Sequence, residues 1–142
     1  MDDGTLGGTT NVQAISPLTA MVIDDSRAMR IMLTRHLAGF GYSVEGAADG
    51  REAMARLSDG RCRHLAVVDW NMPEMNGLQF IEAVRADARF ADMRLLVVTS
   101  ETEMAQMVSA LKAGADEYLM KPFTPESLAD KLQLLGLGNA GS

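Results

Sequence analysis

One cysteine, four prolines, two histidines and 5% aromatic residues are all that a chain of 142 carries of these types. Cys62 cannot close an internal disulfide by itself, so a reducing compartment, the cytoplasm, is the expected setting. His36 and His64 have no second His or Cys at ligand spacing, which argues against a zinc site. There is no basic excess: 13 Lys and Arg face 19 Asp and Glu, for a net charge of −6. That balance speaks against non-specific nucleic-acid binding and against docking on an anionic membrane. No apolar run approaches membrane-spanning length, and Asp2 and Asp3 stand where a signal peptide needs positive charge. No G-x-x-x-x-G-K-[ST] string is present, which removes the usual basis for nucleotide hydrolysis. Gly136 to Gly141 does spell G-x-G-x-x-G, but that fingerprint works by leading from a strand into a helix, and here only one residue follows it.

What is present reads as one soluble domain with a substantial core, at 47% hydrophobic and 23% charged residues. Residues 1–17, rich in Gly, Thr and small polar types, read as a flexible leader, and 137–142 as a flexible tail. Between them, over 18–136, apolar runs alternate with helix-period segments. Met21-Val22-Ile23, Tyr42 to Ala47, Leu65 to Val68, Leu95 to Val98 and Glu117 to Met120 read as strands. Helices follow each: Met29, Met32, Leu33, Leu37 and Phe40 line the first, Ala53, Met54 and Leu57 the second. Leu78, Ile81 and Val84 line the third, Met104, Met107, Val108 and Leu111 the fourth, and Leu128, Leu132 and Leu135 the fifth. Thr124-Pro125 supplies an N-cap and first-turn pair for the last helix. Five strands alternating with five helices predict a doubly wound α/β sheet.

Charge gathers where these strands stop. Asp24-Asp25 follows the first, Asp69 the third and Lys121-Pro122 the fifth. In an open parallel sheet the strand carboxyl ends share one edge, and ligands bind there. Three carboxylates meeting on that edge repel one another unless a cation or a proton relieves them. Mg2+ suits the task, because it takes oxygen ligands and leaves positions for phosphate oxygens. The pattern therefore predicts phosphoryl chemistry.

Val22-Ile23-Asp24-Asp25-Ser26, Val68-Asp69-Trp70-Asn71-Met72-Pro73-Glu74-Met75-Asn76-Gly77, Thr99-Ser100 and Lys121-Pro122-Phe123, in that order and spacing, resemble the receiver domain of two-component response regulators over about residues 19–136. Asp-Trp-Asn-Met-Pro and Tyr118 are similar to the version in CheY-like chemotaxis regulators. The resemblance implies a flavodoxin-like sheet of order 2-1-3-4-5. It implies Asp69 as phosphoacceptor, and a Mg2+ site from Asp24, Asp25, Asp69 and the backbone carbonyl of Asn71, with Asp24 acting through water. Lys121, aimed by a cis bond to Pro122, would meet the phosphoryl oxygens, and Thr99 would bond to one of them. Thr99 and Tyr118 would form the switch, and Asn71 and Glu101 would modulate loss of the phosphoryl group. The implied protein is a stand-alone, monomeric module, not an enzyme acting on other substrates. A histidine kinase would supply it, and its output face would comprise the fourth helix, fifth strand and fifth helix. The partner there would be a flagellar motor switch protein, or a histidine phosphotransfer protein if the chain serves as a phosphate-relay intermediate or sink.

Blander readings stay open beside these. Taken alone, Asp24-Asp25 is a solvated turn, Asp69 a loop cap, Thr99 a helix cap and Tyr118 ordinary strand packing. Ser26 reads as a cap for the first helix. Most of the 11 methionines fall at core spacing, with Met104 and Met107 as candidates for a binding surface. Trp70 is expected to be partly exposed. A Mg2+-dependent phosphatase of the haloacid-dehalogenase type would also use an Asp nucleophile, Thr or Ser, Lys and Mg2+. It wants a second Asp two residues after the nucleophile, where this chain has Asn71.

Overall fold

Apolar runs of four to six residues with β-branched character pair side by side in the computed structural model, which describes residues 18–137. The predicted leader over 1–17 lies outside the described residues, as does the predicted tail beyond its first residue. The elements run β1 (Leu18–Ile23), α1 (Arg27–Gly39), β2 (Tyr42–Ala47), α2 (Gly50–Leu57), β3 (Leu65–Asp69), α3 (Gly77–Arg85), β4 (Arg94–Thr99), α4 (Met107–Ala113), β5 (Glu117–Met120) and α5 (Pro125–Leu134). All strand pairs are parallel, and the order β2-β1-β3-β4-β5 is the 2-1-3-4-5 arrangement that was expected.

Central β3 is buried along its whole length, as a strand covered on both faces must be. One core layer joins Met21, Ile23, Ala66, Val68, Leu95 and Val97 to α2, α3 and α4 through Leu57, Phe80, Ile81, Val84 and Met107. The opposite layer joins Val22, Val67, Leu96 and Val98 to α1 and α5 through Leu33, Leu37, Leu128 and Leu132. The helices start where capping chemistry allows. Ser26 accepts from the Met29 N–H, Asp49 from Glu52, Asn76 from Gln79 and Thr124 from Ser127.

The fourth helix departs from expectation. Ser100 and Glu103 form a capping box, and Glu101–Gln106 is a 3-10 stretch that turns α-helical only at Met107. The tighter winding rotates the apolar positions. Met107 and Ala110 face the core, while Val108 and Leu111, predicted inward, are exposed. Gly114 closes α4 at φ 125, with its backbone against Arg85 of α3. The Arg85 guanidinium donates to the carbonyls of Gly114, Phe90 and Met93 and pairs with Asp116 at 2.9 Å, tying α3 to the entries of β4 and β5. None of the helices is long and apolar enough to cross a membrane, among the described residues.

Candidate functional site

Parallel register brings the charged residues together. Ile23 lies beside Val68, so Asp24, the next residue after β1, stands beside Asp69 at the end of β3. Asp69 is level with Val98, and Thr99 with Met120, which puts Thr99 and Lys121 on the same edge. The main chain continues its ladder past the strand ends: Asp24 N–H donates to Ala47 O, Trp70 N–H to Val98 O, and Lys121 N–H to Thr99 O at 2.7 Å. The side chains are thus aimed by hydrogen-bonded backbone. The Lys121–Pro122 bond is cis.

Carboxylate oxygens of Asp24, Asp25 and Asp69 all lie within 4.8 Å of one another. Asp24 and Asp69 are buried, and Asp25 is exposed. Lys121 Nζ approaches Asp69 Oδ1 at 3.5 Å, an ion pair longer than a direct hydrogen bond. The Asn71 N–H donates to the same oxygen at 3.4 Å, and the Asn71 side chain is exposed. Asp24 Oδ1 accepts from the Ser26 N–H at 2.8 Å, whereas its Oδ2 is buried with no hydrogen-bond partner among the described residues. A buried carboxylate oxygen left bare costs free energy unless a cation takes it up.

Electrostatics tell the same story. Burial first, then the Asp24 carboxylate, push Asp69 up to about 6 from an ordinary 3.8, against the opposing pull of Lys121 and the Asn71 N–H. Burial also raises Asp24, and the Ser26 N–H and Lys121 oppose it. The donor set is all oxygen, one carboxylate oxygen is bare, and one ligand side opens to water. That combination fits Mg2+.

The rim completes the pocket. Thr99 is fully buried; among the described residues its hydroxyl has only long contacts, 3.4 Å to Ser100 O and 3.4 Å to Glu103 Oε1. Glu101 is exposed at the start of the 3-10 stretch. Tyr118 is half-buried on edge strand β5, packed against the core layer that holds α4. Trp70, expected to be partly exposed, is instead buried in the core layer that holds α2, α3 and α4, and its indole N–H donates to Gln106 of the 3-10 stretch. The loop after Trp70 closes over α2: Met75 reaches so near Gly50 that a Cβ there would come within 2.8 Å, and Glu74, at φ 62, pairs with Arg51.

Several contributors escaped the sequence reading. Arg30 reaches from α1 to donate to the Asp24 carbonyl at 2.6 Å. Glu103 bonds the Ser100 N–H, a partnership that the S-x-x-E spacing could have revealed. Gln106 and Lys131, which lies over the Tyr118 ring, carry no local signal at all, since each finds its partner only through the fold.

Known proteins share this arrangement. The family model described as response regulator receiver domain matches residues 20–133. Chemotaxis protein CheY1 of Helicobacter pylori is 40% identical over 116 residues, covering 81% of this chain and 94% of that protein. The chemotaxis protein CheY homolog of Campylobacter jejuni is 41% identical over 121 residues, 84% of this chain and 93% of that one. The solved structure of Vibrio cholerae CheY4 superposes with a TM-score of 0.78 at 37% identity, covering 84% of this chain and 99% of the other. The chain belongs to the response regulator receiver domain family, the signalling modules that take a phosphoryl group on an aspartate.

Proposed function

We propose that this protein is a cytoplasmic, chemotaxis-type response regulator whose receiver unit spans 18–136 and takes a phosphoryl group onto Asp69 from a histidine kinase. One observation carries the reading: three carboxylates within 4.8 Å of one another on the strand-end edge, with Lys121 Nζ 3.5 Å from Asp69. In the transfer, an Asp69 carboxylate oxygen attacks phosphorus, the new P–O bond forms as the P–N bond to the donor imidazole breaks, and the imidazole leaves with the bonding pair. Asp24, Asp25, Asp69 and the Asn71 carbonyl would hold Mg2+, which when bound neutralises charge on the carboxylate and on the phosphoryl oxygens. Lys121 contributes a second cation to those oxygens. The Thr99 hydroxyl, loosely held here, has a hydrogen bond to give to one of them.

That new bond draws Thr99 toward the pocket, and Tyr118 follows into the space. Asn71 and Glu101 at the mouth govern the access of water, and so the lifetime of the acyl phosphate. Phosphorylation then biases the surface of α4, β5 and α5, where Val108, Leu111 and Met120 are exposed apolar side chains suited to a protein partner. The relatives are named as chemotaxis proteins, and the partner in this proposal is a flagellar motor switch protein.

The test is a pull-down of the motor switch protein by wild type and Asp69→Asn, each with and without Mg2+ and beryllofluoride. Activation-dependent capture by wild type alone supports the reading. Equal capture in all conditions contradicts the motor output, as does absence of capture while wild type loaded with radiolabelled phosphoryl from acetyl phosphate passes it to a histidine phosphotransfer protein.

A further inference from the structure

The Tyr118 ring is held by a pair of charges that the phosphoryl chemistry does not use. Lys131 of α5 reaches across the edge strand, and its Nζ lies 4.6 Å from the ring centre. Glu117 fixes that ammonium: its Oε1 accepts from Lys131 Nζ at 3.1 Å and also from the Tyr118 N–H at 2.9 Å. Both side chains are about three-quarters shielded from solvent, at 25% and 24% exposure, so the pair is less screened than one on open surface. Meanwhile the Thr99 hydroxyl is turned to Ser100 O and Glu103, not to the acceptor pocket. The ring position seen here thus accompanies the unswitched threonine.

We infer that Glu117 and Lys131 form a clamp that holds Tyr118 in its unswitched position and thereby sets how readily the protein responds to phosphorylation. The inference deepens the switch role proposed for Tyr118 and rests on it. A ring that moves toward Thr99 leaves the ammonium behind and loses the attraction between cation and π face. The clamp therefore opposes activation. By linkage, whatever opposes the switched form also weakens binding of the phosphoryl group that stabilises it. Glu117 and Lys131 are positioning residues in this scheme; neither touches the acceptor pocket.

Fluorotyrosine labelling gives a direct readout, because the chain has two tyrosines and Tyr42→Phe assigns the second resonance. Wild type, Lys131→Met, Lys131→Arg and Glu117→Gln are titrated with beryllofluoride at saturating Mg2+, following the Tyr118 resonance by 19F NMR. In Lys131→Met the resonance should already lie part of the way toward its activated position. Half-conversion should need about two- to five-fold less beryllofluoride, the factor that a partly exposed cation–π contact supplies. Lys131→Arg should restore wild-type behaviour and Glu117→Gln should fall between. A purely electrostatic role for the lysine gives the opposite sign, since removing a cation weakens binding of an anion, and that result overturns the clamp. So does an unchanged midpoint while the wild-type resonance moves, which leaves the switch itself standing. A wild-type resonance that never moves on activation removes both the switch and the clamp.

Discussion

Lys121 Nζ lies 3.5 Å from Asp69 Oδ1, although Lys121 follows β5 and Asp69 ends β3, strands that do not pair because β4 runs between them. The lysine spans that gap because its own N–H is bonded to Thr99 O at the tip of β4. It lowers the proton affinity of both Asp24 and Asp69 and competes with a metal ion for the same field. Lys121→Met should therefore leave Mg2+ binding intact or tighten it several-fold, while abolishing the Thr99- and Tyr118-linked response to beryllofluoride. Calorimetric titration of Mg2+ together with tyrosine NMR separates the two effects.

Burial makes the Asp69 carboxylate a burden on the metal-free fold. With Asp69 pushed up to about 6, its contribution to stability is fully present below about pH 4 and is lost as pH rises through about 6. Asp69→Asn removes that loss. In chelator at pH 7.5 the variant should be more stable than wild type by about 1–3 kcal/mol, and the difference should vanish near pH 4. Urea denaturation of both proteins across that range checks the sign. Mg2+ should narrow the gap at pH 7.5 by stabilising wild type, and its affinity should fall as pH drops below about 6, where protons compete for Asp69.

Glycine is required at one helix end and dispensable at another. Gly114 has φ 125, and a Cβ on it would come 2.5 Å from Arg85 Cγ. Gly114→Ala should cost at least about 1–2 kcal/mol and disturb the Arg85 bonds that join α3 to β4 and β5. Gly39, the last residue of α1, has nothing among the described residues within 4 Å of the corresponding position. Gly39→Ala should be neutral or stabilising by up to about 1 kcal/mol. Chemical denaturation midpoints of the two variants give the comparison.

Trp70, next to Asp69, is joined to the 3-10 stretch through its hydrogen bond to Gln106. Six residues is long for 3-10 winding, which favours short runs. Emission from Trp70 should change on Mg2+ addition, by proximity to Asp69, and again on activation, when the 3-10 stretch that holds the indole N–H shifts. Gln106→Ala should alter the second step and spare the first. Stopped-flow fluorescence resolves them.

Strand ends were legible in this sequence because buried parallel strands are short continuous apolar runs, and a charge where such a run stops is conspicuous. Leu18 to Ile23 with Asp24 after it, and Leu65 to Asp69, show this best. The α4 segment was not legible. Met104, Met107, Val108 and Leu111 fit a helix face at 3.6 residues per turn, and nothing local announces that Glu101–Gln106 winds more tightly. Trp70 misled for a related reason: it packs into a core layer assembled by the fold and bonds a glutamine 36 positions away. Arg30 and Lys131 likewise act across elements, one on the Asp24 carbonyl and one on the Tyr118 ring. Sequence periodicity reports which face of an element is apolar, and it is silent about which polar side chains meet.

Locating the phosphoryl group tests the central claim most directly. The protein is incubated with acetyl phosphate and Mg2+, reduced with borohydride to convert the acyl phosphate to homoserine, and sequenced by mass spectrometry. Homoserine at position 69 alone, dependent on Mg2+ and on the donor, is the predicted result. Conversion at another residue, or none with donor and metal both present, contradicts it.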